Sequence, residues 1–184
     1  MSKPFDKELA KKAEEKTKEL VKALNNTLKK YEALFGPQKD HDIAIICKNN
    51  KEIIIYVDVE VVRPDRWKLI KSCKYPTVRW PIAKKKKCEE KYKDKLAIMM
   101  SVNESDVKDM FYIDCETWIS KGKEEKEQQV RAGGKIYRYR KETPEPFWAI
   151  DKQTAIWGID KLEDFLDKLV NDAVKNGKLK DTCK

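Results

Sequence analysis

The chain has 184 residues, 40% of them charged and 40% hydrophobic, with a net charge of +9, and this balance excludes a disordered chain poor in apolar residues. No stretch approaches the ~20 apolar residues of a membrane span, and the N-terminus Met1-Ser2-Lys3-Pro4-Phe5 lacks the apolar core of a secretory signal. Five scattered cysteines without a CxxC pair and a single histidine, His41, speak against a disulfide framework, a zinc site and a Ser-His-Asp triad, so the expectation is a cytoplasmic, reducing setting without membrane attachment.

Residues 5 to 35 read as one long helix, because Leu9, Ala13, Leu20, Leu24, Leu28, Tyr31 and Phe35 recur at helical spacing and Gly36-Pro37 ends the run. The period then changes. Ile43 to Cys47, a polar Lys48-Asn49-Asn50-Lys51 turn and the β-branched stretch Glu52 to Val62 predict a hairpin. Trp67 to Lys74 reads as a short helix or an irregular crossing, and Thr77 to Ile82 as a third strand interrupted by Pro81. Ala83 to Lys95 is polar with a helical centre. Leu96 to Val102 is a compact strand, Ser105 to Met110 a short helix, and Tyr112 to Ile119 another strand. Lys121 to Arg131 reads as a loop or frayed helix, and Ile136 to Arg140 with Phe147 to Trp157 as a late hairpin around Pro144-Glu145-Pro146. Asp160 to Val174 is an amphipathic helix stopped by Asn176-Gly177. The order predicts one α/β (α+β) domain over residues 1 to 184: a mixed sheet with a central hairpin, flanked by the long N-terminal and the C-terminal helix. Its core spans about 5–120 and its C-terminal extension about 121–176.

The acids of the second hairpin strand carry the chemistry. Alternation along Ile53 to Val62 puts Asp58 and Glu60 on one face with Ile54, Tyr56 and Val62. Burying two carboxylates two residues apart costs several kcal/mol unless something offsets the charge. A divalent cation does so with oxygen ligands; a solvated face, or lysines paired with the acids, is the plain alternative. Asp42 opens the preceding strand. With a two-residue loop, facing residue numbers sum to 99 and Asp42 points to the wrong side. With the loop Asn49-Asn50-Lys51 they sum to 100, Asp42 faces Asp58, and His41 lies on the opposite side. The odd loop is the expectation, since asparagine tolerates the left-handed conformation.

Asp42, sixteen residues, then Asp58-Val59-Glu60 on a hairpin after a long helix resembles the PD-(D/E)XK nuclease superfamily, the restriction-endonuclease-like fold. The likeness covers roughly residues 5 to 105 in the order helix, strand, strand, strand, helix, strand. The string Val57 to Val61, Trp67, Tyr75-Pro76-Thr77-Val78, Pro81 with nearby lysines and Leu96 to Asn103 is similar to phage-type and virus-type members. The resemblance implies Mg²⁺ or Mn²⁺ held by Asp42, Asp58, Glu60 and the Val59 carbonyl, and a Mg²⁺-dependent nuclease cutting DNA, with RNA also possible as substrate and a homodimer as the form that cuts two strands. The motif lysine is missing, since its position holds Glu60 or Val62. Lys84-Lys85-Lys86-Lys87 is where a substitute is sought, with Lys85 and Lys86 the choices. A helix glutamate contributes in many members. Glu15 and Glu19 lie beside the apolar stripe, although surface pairing with lysine explains them as well.

The lysines at 84 to 87 and 121 to 126, with Arg138 and Arg140, suit phosphate contacts or a merely solvated face. Tyr137 and Tyr139 alternate with those arginines, which fits a presented pair or an exposed strand packing its tyrosines. The five tryptophans and Met99-Met100 read as core. A nucleic-acid-binding protein without catalysis on the same scaffold is the second reading, and a protein-interaction module with solubilising lysines the third.

Overall fold

The computed structural model describes residues 4–36, 41–72, 76–125, 131–132, 135–136 and 146–183. Pro4–Thr27 forms α1, which buries Leu20, Ala23 and Leu24. The helix does not run to residue 35. Asn25, Asn26 and Thr27 are poor helix interiors, because their side chains compete for backbone partners. Asn25 accepts from the Ala33 N–H at 2.7 Å and donates to its carbonyl at 2.9 Å. Beyond that clasp Tyr31–Phe35 is a strand, β1, with Tyr31 and Ala33 buried. At 28, 31 and 35 helical spacing mimicked the strand's alternation, and pairing with the next strand decided the outcome.

β2 (Ile43–Cys47) pairs antiparallel with β1 and with β3 (Ile54–Val62). Ile43 faces Val57 and Ile46 faces Ile54, so facing numbers sum to 100 as expected, although the connection runs beyond three residues. After α2 (Pro64–Lys71), β4 (Thr77–Pro81) and α3 (Ile82–Lys91), the chain returns as β5 (Leu96–Asn103), parallel to β3 with Glu60 opposite Ser101. The segment expected as a helix from Ser105 is instead β6 (Asp106–Asp114), turned back on β5. The strand expected through Ile119 stops at Asp114, whose carboxylate accepts the Thr117 N–H at 2.7 Å and caps α4 (Cys115–Lys121).

β7 (Lys123–Glu125), β8 (Arg131–Ala132), β9 (Lys135–Ile136), β10 (Phe147–Asp151) and β11 (Ile156–Trp157) follow, then a 3-10 turn and α5 (Leu162–Lys175). Tyr137 to Arg140, part of the expected late hairpin, lies outside the described residues. Among those described, the main sheet has the order β1-β2-β3-β5-β6-β11. β4, expected as a third strand of one mixed sheet, joins the separate small sheet β4-β10-β7 instead.

The main sheet is apolar on both faces. α1 and α5 cover one, over Ile43, Ile45, Ile55, Val57 and Ile98. The second face buries Trp67, Trp80, Met99, Phe111 and Trp118, with α2 to α4 and the small sheet packed on it. Asp58 lies among these apolar residues, and Cys88 and Cys115 are free thiols. Cys47 and Cys183 are joined by a disulfide, a pairing that their separation of 136 residues hides in the sequence. It departs from the expectation of unpaired cysteines. No helix among the described residues is long and apolar enough to cross a membrane.

Candidate functional site

β2 begins at Ile43, so among the described residues no strand pairs with β3 on that side from Asp58 onward. Asp42 stands at this edge. Ile43 is the register partner of Val57, yet Asp42 also donates its N–H to the Val57 carbonyl at 3.1 Å. Two residues thus oppose one, the arrangement of a β-bulge, which re-aims a side chain. The Asp42 carboxylate accepts the Val59 N–H at 2.7 Å and lines a cavity of about 250 Å³ with Val59, Val61, Phe35 and the α1 residues Glu14 and Thr17. The bulge therefore corrects the expectation of Asp42 squarely opposite Asp58. Asp42 reaches Asp58 around the strand's edge, and the two carboxylates still act on one another. His41, expected across from the acids, packs edge-on against Tyr56 at 5.0 Å, on the face of Asp58.

Asp58 is 2% exposed, and Lys84 and Lys87 of α3 both bind its carboxylate. Burial alone raises the Asp58 pKa, but Lys84 and then Lys87 more than offset it and hold the carboxyl below its ordinary value. Lys84 is raised in turn: burial disfavours its charge, while Asp58 above all, then Asp42 and Glu60, favours it. One ammonium is thus set in the field of all three acids.

Glu60 lies one step farther along β3. Arg66 of α2 and Ser101 of β5 each approach it at 3.5 Å. Those partners are too distant to compensate burial, and the Glu60 carboxyl is pushed up. Asp42 is pushed up as well, first by burial and further by Asp58, against the opposing Val59 N–H. Both are carboxylates short of positive charge.

The lysines that reach the acid are not Lys85 and Lys86, the two expected. Lys85 turns to Glu89 and lies 4.5 Å from the Trp148 ring centre, and Lys86 is exposed. Lys84 and Lys87, one turn apart on α3, take the place by the acid. On α1, Glu14 rather than Glu15 or Glu19 faces the Asp42 cavity; Lys18 pairs with it at 2.6 Å, and Glu15 is exposed. Glu19 pairs with Lys16 at 2.7 Å, the plain surface reading.

Among the described residues no three acidic, cysteine or histidine groups stand close enough to share an ion. Magnesium, however, is commonly held by one or two carboxylates with water completing its shell. The hard oxygens of Asp42 and Asp58, one of them short of positive charge, fit that smaller requirement, with Lys84 and Lys87 as the cations to be shifted. No protein-family profile matches the sequence, and no curated protein matches it significantly.

Proposed function

We propose that the chain is a Mg²⁺-dependent nuclease of the PD-(D/E)XK type that hydrolyses phosphodiester bonds in DNA. One observation carries the reading: a buried acid, Asp58, gripped by Lys84 and Lys87 at a strand edge beside a second acid, Asp42. It supplies the acid-and-lysine chemistry that the resemblance requires, with the lysine coming from α3 instead of β3. The order α1, β1, β2, β3, α3, β5, with α2 and β4 inserted between β3 and α3, also supports it, and β1 takes the place of the third strand expected from Thr77 to Ile82.

Asp42 and Asp58 would hold the ion, with the Val59 carbonyl within reach on the same strand and Glu60 tuning the charge behind them. A bound Mg²⁺ supplies the positive charge that polarises a phosphoryl oxygen and favours a hydroxide nucleophile. Lys84 orients the attacking water and steadies charge on the phosphate. Until the ion displaces them, Lys84 and Lys87 keep Asp58 ionised. Lys85 and Lys86, next to them on the helix, and Lys121 and Lys123 beyond it make backbone contacts that carry no base specificity. A homodimer placing two such edges on opposite strands belongs to the same proposal.

The second reading, a nucleic-acid-binding protein without catalysis, is favoured by the same grip, because Asp58 already has both its oxygens taken by ammonium groups. Cleavage of supercoiled plasmid and of single-stranded oligonucleotides in Mg²⁺ or Mn²⁺ separates the two. Turnover lost with EDTA and with Asp58→Asn supports the enzyme. Salt-sensitive binding without turnover in either metal supports the binder, and no binding to DNA or RNA at low salt removes both.

A further inference from the structure

The thiols of Cys88 on α3 and Cys115 at the start of α4 lie 2.8 Å apart, closer than sulfurs pack in ordinary contact. Both are buried, and the Met99 thioether from β5 sits 3.7 Å from Cys88. Nothing in the proposed phosphodiester chemistry uses this pair. Cys88 directly follows Lys87 and lies one helical turn beyond Lys84, so it belongs to the helix that grips Asp58. The surrounding side chains are apolar: Trp80, Trp118, Phe111 and Ile113 share the same cluster. The hydrogen bond between the two thiols first, then burial and the nearby negative charges of Asp58 and Asp114, push Cys115 strongly toward its protonated form. Because the thiolate is the reacting form, such thiols react slowly with every oxidant, and of these only a small neutral one reaches the buried pair.

We propose that Cys88 and Cys115 are an oxidisable dithiol that closes to a second disulfide and rivets α3 to α4. A peroxide is the oxidant. The sulfur of one thiol takes an oxygen atom as the O–O bond breaks, giving a sulfenic acid and water. The neighbouring sulfur displaces the hydroxyl group, its proton leaves with it as a second water, and the S–S bond forms. Both sulfurs are oxidised and the peroxide is fully reduced. Proximity makes ring closure faster than over-oxidation, because the second sulfur is already in place.

The bond holds α3 down at the residue beside Lys87, and this consequence needs no assumption about activity. If the nuclease reading also holds, the bond hinders Lys84 and Lys87 from leaving Asp58 and lowers turnover. That last step rests on the proposed function, whereas the bond itself does not.

The test uses the full chain, folded, with and without hydrogen peroxide, then alkylation in denaturant and peptide mapping without reductant. The expected result is a new Cys88–Cys115 cross-linked peptide that dithiothreitol reverses, beside an unchanged Cys47–Cys183 link. Amide exchange across Ile82–Lys91 should slow about tenfold on oxidation, and Cys115→Ala should show neither change. Recovery of both cysteines as alkylated thiols, as sulfinic acids, or with the oxygen on Met99 instead would overturn the proposal. A cross-link without slower exchange in α3 would overturn the rivet. These results require no catalytic activity, so they stand apart from failure of the nuclease reading.

Discussion

Replacing Lys84 and Lys87 by methionine, singly and together, tests whether two cations share one buried carboxylate. Asp58 is 2% exposed, whereas the lysine side chains keep 26% and 27% of their surface. Stripping the last partner from a buried carboxylate costs about 3–5 kcal/mol. Because both ammonium groups reach water and are partly screened, the lower end, ~3 kcal/mol, applies to the double variant. In either single variant the remaining lysine still satisfies Asp58, so each should cost only ~1 kcal/mol. Lys84→Met should be the larger, since Lys84 also answers Asp42 and Glu60. The double thus exceeds the sum of the singles by about 1 kcal/mol. Adding Asp58→Asn to the double variant should recover much of the loss, because the stranded charge is gone. Urea unfolding followed by tryptophan fluorescence gives these differences from the midpoints, provided the slope is unchanged. Additivity within about 0.5 kcal/mol would refute shared gripping and leave two independent surface pairs.

The acids also set a pH profile. Asp58, held below the ordinary aspartate value of 3.8, stabilises the fold above that pH and loses its contribution as pH falls through its lower folded value. Asp42 and Glu60 are raised, so they bind protons more readily folded than unfolded, and stability grows as pH falls through their folded values toward 3.8 and 4.5. Chemical denaturation across pH should therefore show greatest stability on the mildly acidic side, and Glu60→Gln should flatten that rise; an unchanged profile in Glu60→Gln counts against the assignment. Asn25→Ala should cost ~1 kcal/mol and uncover the β1 edge, so sedimentation velocity should find concentration-dependent association absent from the parent. Trp67→Phe removes the 2.6 Å bond from the indole N–H to Asp109. Lys71 still pairs with that acid, so thermal unfolding should report a loss of ~1.5 kcal/mol. Cys183→Ser, which frees the β2 end from the C-terminal segment, should cost roughly 2–4 kcal/mol, read by the same denaturation against the parent.

The fold was legible where one period dominates. Glu52 to Val62 and the C-terminal helix carry a single pattern, and both form as expected. It was illegible where two periods coincide or where a partner decides. Tyr31 and Phe35 fit a helix or a strand, and only the ladder with β2 selects the strand. The polar residues at Glu104 and Ser105 suggest a helix start. They are instead the turn of a hairpin whose second strand is stabilised by the apolar residues it lays across β5. Cys47 and Cys183 meet because α5 returns the chain to the strand end, which no local signal encodes.

The site shows the same division. Register arithmetic recovered the β2–β3 ladder but not the bulge at Asp42, because an extra residue at a strand end has no counterpart in pairing numbers. The lysine run is more instructive. On α3 Cys88 faces the core, as does Tyr92 just past the helix end, and Lys86 lies about half a turn from Cys88, so helical period alone turns Lys86 outward. That leaves Lys84, Lys85 and Lys87 around the inward side. Sorting them requires knowing that β10 brings Trp148 beneath Lys85 and draws its ammonium from the acids. β10 lies some sixty residues on, and its place beside β4 is set by the small sheet. A buried acid with two lysines could therefore be anticipated from Asp58 and the run that follows, while the identity of the pair belongs to the tertiary packing.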